Sequence, residues 1–190
     1  MLETHSTAAD VTAGTTIVAG IEVPSVSPPF LTIVAFHVTA GLVCVGAGIV
    51  AMLSEKRRGR HPIFGTIYYW FLSVVIVSAT ALAAMRWTED YRLFTLGMLS
   101  FVAASLGRTA RRQRWRDWGK VHISGMGLSY IFLITAFYVD NGHSLPFWKQ
   151  LPHITYWLLP AAAVGVPLIL RSLLRHPLAR QSTRRGRQIR

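Results

Sequence analysis

Five stretches without a single Asp, Glu, Lys or Arg restrict this 190-residue chain more than any other feature: residues 30–53, 64–85, 93–107, 121–139 and 154–170. A hydrocarbon core about 30 Å thick takes roughly 20 apolar residues to cross at about 1.5 Å each. Lipid offers the backbone no hydrogen-bond partners, so such runs must satisfy their own peptide groups as helices. The expectation is an all-α polytopic transmembrane bundle of about five helices. Composition agrees, with 52% hydrophobic and only 15% charged residues, where soluble domains carry about 25% charged. The third run is short. Its fifteen residues reach only about 22 Å, so Tyr91, Arg92 and Arg108 must snorkel at its ends or the bilayer must thin.

The flanks divide the chain into three parts. Residues 1–29 hold no Lys or Arg and are rich in Thr, Ser, Ala, Gly and Pro. Without a basic start and an apolar core they do not form a signal peptide, and they are expected to be a disordered extracytoplasmic tail. Residues 30–174 form the transmembrane helical domain, and 175–190 a basic cytoplasmic tail.

Orientation follows from charge. Seventeen of the twenty Lys and Arg residues cluster in the connection before His61, in the connection from Arg108 to Lys120, and in the C-terminal stretch from Arg171 to Arg190. Five crossings put all three clusters on one side, which the positive-inside rule makes cytoplasmic, so the topology is N-out, C-in. A net charge of +12 would suggest nucleic acid in a soluble chain. Here the arginines flank helices and face anionic lipid headgroups of the bilayer, with Trp115 and Trp118 as interfacial anchors, and no nucleic-acid partner is expected. The one cysteine, Cys44, lies inside the first helix and is expected to be a small packing residue.

Helix one carries His37, Gly41, Cys44 and Gly48 on one narrow face, and helix four carries His122, Gly125, Ser129 and Ala136 similarly. Small residues let another helix, or a flat ligand, approach closely. Pro160 and Pro167 interrupt the fifth run and kink it or shape a cavity there.

The histidines supply the chemistry. His37 lies about 10 Å inside the first helix, and an ionisable residue in the bilayer is a functional hypothesis by default. His143 and His153 fall toward the outer side, His61 and His122 at the inner side. Neutral imidazole is the commonest transition-metal ligand and the usual axial ligand of membrane haem. His37, His61, His122 and His153 are therefore candidate cofactor ligands, for haem b or copper, and His37 with His153 a candidate metal pair. Histidines at both surfaces are similar to the arrangement in two-haem membrane b-type cytochromes, which usually place both ligands on one helix, whereas here each helix offers one. The plainer alternative makes His37 a hydrogen-bond partner of a neighbouring helix, and His61 and His122 boundary residues. No HExxH, CxxC, P-loop, GxGxxG or GxSxG pattern occurs, which leaves hydrolase, nucleotide-binding and zinc-protease chemistry without support.

The stretches HVTAG (37–41), GRHPIFGTIYYW (59–70), WGKVHISGMGLSY (118–130) and PAAAVGVP (160–167) together resemble a bacterial family of polytopic inner-membrane proteins of unknown function. The resemblance runs from about Phe30 to Leu174 and implies a location in the bacterial inner membrane. Its motif histidines fall on His37, His61 and His122. Many relatives have arginine after the second of these, where this chain has Pro62, which removes a basic pair at that point. The leading expectation is a redox protein holding haem b or copper through His37 and at least one other histidine, for electron transfer or respiratory-complex assembly; the alternatives are a proton-coupled carrier or channel using His37, and a non-catalytic subunit with a membrane-protein partner or a second copy.

Overall fold

The computed structural model describes residues 15–18, 21–24, 28–55, 59–145, 150–152, 154–159 and 165–175. Four helices dominate: α1 (Pro28–Leu53), α2 (Arg60–Met85), α3 (Trp87–Arg112) and α4 (Trp118–Asn141). At about 1.5 Å per residue each is roughly 36–39 Å long, more than a bilayer core needs. All four are long and apolar enough to cross a membrane. The protein is a multi-pass membrane protein with an all-helical membrane domain.

Local sequence explains the breaks. Gly59 precedes α2 with φ of 130°, a conformation that L side chains rarely adopt. Only Arg86 separates α2 from α3; its non-helical backbone (φ −140°, ψ 53°) turns the chain, and its guanidinium lies 5.8 Å from the Phe30 ring centroid. Between α3 and α4 the chain reverses within residues 113–117, with Arg114 at φ 51°.

The charge-free core of α3 is short, but the helix runs through charged residues at both ends. Arg92 reaches the Tyr91 ring and hydroxyl, while Arg108 lies 4.6 Å from the Tyr69 ring centroid. Amphipathic ends thus lengthen this crossing.

Of the fifth run, the described residues form α5 (Ile154–Leu159) and α6 (Val166–Arg175). Pro160 lies outside the described residues. Pro167 sits in the first turn of α6, where a missing N–H costs no helical bond. Tyr156 of α5 lies against Gly142, and Ile169 of α6 against Gly127, so both pieces pack on α4.

Within the segment expected to be disordered, β1 (Thr15–Val18) pairs antiparallel with β2 (Ile21–Pro24), Val18 opposite Ile21. β-branched residues on both sides of Ala19-Gly20 favour such a hairpin.

Neighbouring helices run antiparallel, α1 on α2, α2 on α3 and α3 on α4, and Tyr130 of α4 closes the ring by reaching the Val45 carbonyl of α1. Cys44, Ala47, Tyr68, Leu72 and Ala104 form the packed centre. Cys44 is fully buried, the packing role expected of it. The Tyr68 hydroxyl meets Ser129 Oγ at 2.7 Å, and Ser100 Oγ donates to the Ser129 carbonyl at 2.8 Å. One polar knot therefore ties α2, α3 and α4 together where water cannot compete.

Two glycines set the α3–α4 crossing. A Cβ on Gly125 would stand 2.7 Å from the Ala103 carbonyl oxygen and 2.9 Å from Gly107 Cα. The backbones touch.

Candidate functional site

His37, His61 and His122, the histidines whose side chains are described, lie at two ends of the bundle. At the first end, His37 Nδ1 lies 2.8 Å from Ser78 Oγ. The serine hydroxyl has one hydrogen, and it is directed at the Val74 or Val75 carbonyl. Ser78 therefore accepts, and His37 donates from Nδ1. Asp140, near the end of α4, is within electrostatic reach of the same ring. His37 is thus a hydrogen-bond partner of the neighbouring helix α2, as the plainer alternative has it.

At the other end, about 21 Å along α1 at the helical rise, α2 and α4 begin side by side. His61 Nδ1 is 2.7 Å from the Ala51 carbonyl, and His122 Nδ1 is 3.0 Å from the Gly107 carbonyl. A carbonyl can only accept, so both Nδ1 atoms carry the proton and, in the neutral rings, both Nε2 atoms carry the lone pair. Ala51 lies in the last turn of α1, where carbonyls lack helical partners; His61 supplies one. Gly107 has no side chain to hold α4 away, which lets His122 reach its carbonyl.

The two rings then meet. Their centroids are 6.4 Å apart, with planes at 87°, and both residues are half-buried. Two imidazole nitrogens at about 2 Å from one metal would set the centroids roughly 6 Å apart. The pair therefore matches two ligands on opposite sides of one metal in residue type, tautomer and centroid separation. Histidines that bind metal characteristically donate their other N–H to a carbonyl or carboxylate, which fixes ring orientation and raises basicity.

The structure brings His61 and His122 together and places His37 at the opposite end with Ser78. His153 lies outside the described residues, so the His37–His153 pair does too. Among the described residues no group of three His, Cys, Asp or Glu side chains could surround a metal ion. His61 and His122 are the residues that would hold a haem iron or a copper ion here, and such a group would supply one-electron chemistry.

Sequence reasoning missed Ser78, the two carbonyl partners and the Tyr68–Ser129–Ser100 knot. A serine in the apolar run after Val77 was a visible signal for the first, but the carbonyls belong to residues with no polar side chain. Comparisons of the chain with protein-family models, with curated proteins and with solved structures found no match.

Proposed function

We propose that this is a redox-associated protein of the bacterial inner membrane that holds haem b or a copper ion between His61 and His122. The observation that carries the proposal is the 6.4 Å approach of two imidazoles whose Nδ1 atoms are committed to carbonyls. A bound group of either kind would supply one-electron chemistry, in electron transfer or in assembling respiratory enzymes. The chain's own part is to fix both tautomers, orient both rings from separate helices, and tune ligand basicity through the Nδ1–H bonds.

Detergent-purified protein is expected to show a Soret band or about one copper per chain. His61→Ala and His122→Ala should each lower occupancy at least about tenfold, whereas His37→Ala should retain it. Wild-type protein with neither absorption nor stoichiometric metal would remove the proposal.

A second reading rests on the other end. His37, bonded to Ser78 and within reach of Asp140, suits a proton carrier in a small-solute transporter. Flux into proteoliposomes that stops in His37→Ala, without any bound cofactor, would favour it.

The N-out, C-in orientation belongs to the same proposal. Cys44 is the sole cysteine and is 0% exposed, so thiol labelling starts from a silent background. Leu151→Cys should react with an impermeant maleimide in intact spheroplasts, and Arg116→Cys only after lysis. The opposite pattern inverts the topology.

A further inference from the structure

On the α3–α4 pair a groove of about 370 Å³ lies open. Its walls are Ala103 and Leu106 of α3 and Ser124, Gly125 and Leu128 of α4, with Lys120 at the end where α4 begins. Leu106 and Leu128 remain 50% and 43% exposed, so the described residues leave the apolar walls open. The groove follows from the sequence: Gly107 and Gly125 draw the helices together, while Ala103 and Ser124 are too small to fill the space beside the crossing. From Lys120 to Leu128 it descends about 12 Å at the helical rise, from the helix end toward the hydrocarbon.

Charge selects the occupant. The last turn of α3 and the reversal beside Lys120 hold Arg111, Arg112, Arg114 and Arg116 against one carboxylate in that stretch, Asp117. Asp117 approaches Lys120 at 3.7 Å, both side chains being about two-fifths exposed, and the four arginines of that stretch outnumber its one carboxylate. We propose that this groove is a binding site for one anionic phospholipid, its acyl chain lying along Ala103, Gly125 and Leu128 and its phosphate meeting the Lys120 end. Basic pockets between transmembrane helices recognise anionic headgroups in this way. A zwitterionic lipid would fill the same walls but gain little from the excess positive charge. A second copy is disfavoured, because insertion in the same orientation brings its own arginine-rich turn to the same level. The assignment does not rest on any group held by His61 and His122.

Native mass spectrometry of protein exchanged with phosphatidylglycerol or phosphatidylcholine tests the assignment. Wild type should retain one phosphatidylglycerol in preference to phosphatidylcholine. Lys120→Gln, a change at an exposed position, should cut that preference about fivefold, the effect of one basic residue near the surface. Ser124→Leu should lower retention of both lipids at unchanged Tm. Equal retention of both lipids by wild type, or a preference untouched by Lys120→Gln, overturns the proposal. So does a wild-type dimer that Ser124→Leu converts to monomer, since the groove would then hold a neighbouring chain.

Discussion

Gly125→Ala is expected to destabilise the protein by about 3 kcal/mol, a large effect for one methyl group. The added carbon would stand 2.7 Å from the Ala103 carbonyl oxygen, 2.9 Å from Gly107 Cα and 3.0 Å from Gly107 N. All three obstacles are backbone, so no side chain can rotate away. Helices α3 and α4 would have to separate, stretching the His122–Gly107 bond as they did. Gly41→Ala is the matched control. Nothing lies within 4 Å of the position its methyl would take, and alanine favours helix over glycine by about 1 kcal/mol in water. Thermal unfolding in detergent should show a clear loss for the first variant and none for the second. Equal stability of Gly125→Ala and wild type would mean that the helices do not cross this closely.

The second large effect belongs to Tyr68, which is 2% exposed and packs with Cys44, Ala47, Leu72 and Ala104. Lipid tails are as apolar as the bundle interior, so packing contacts and interhelical hydrogen bonds, rather than escape from water, hold these helices together. Tyr68→Ala removes both and should cost about 3–5 kcal/mol by the cavity it leaves. Tyr68→Phe keeps the ring and loses only the 2.7 Å bond to Ser129. Because Ser129 Oγ retains Ser100 at 3.1 Å, that change should cost about 1 kcal/mol. Unfolding by dodecyl sulfate in mixed micelles would separate the two. If phenylalanine proved as damaging as alanine, the hydroxyl network would be the main tie and the ring's shape secondary.

The membrane helices were legible because their physical cause is local. A run without charges needs no knowledge of its neighbours, and α1, α2 and α4 each contain the run that announces them. For α3 the run understated the helix, since Arg92 and Arg108 have apolar stems that extend the span. The fifth run was harder. Prolines at 160 and 167 mark an interruption, but sequence does not say whether a kinked helix or two short pieces results. The N-terminal hairpin was overlooked because small polar residues outweighed two brief β-branched stretches.

The site was legible in its ingredients and not in its arrangement. His61 and His122 are 61 residues apart, and only the α2–α4 proximity makes them neighbours. Their Nδ1 partners are carbonyls of an alanine and a glycine, which no residue pattern advertises. Gly107 and Gly125 were visible as small residues, but whether such a residue touches a helix or faces open space, as Gly41 does, depends on the crossing.

The two joined helix pairs also set an order of events during biosynthesis. Residues through Met85 leave the ribosome first and can insert as a hairpin already clasped at both ends, by His37 on Ser78 and by His61 on the Ala51 carbonyl. His122 arrives with the second pair, clasped to Gly107. A nascent chain therefore owns one imidazole of the eventual couple until its second hairpin docks, and loading of any group that needs both must wait for translation to pass α4.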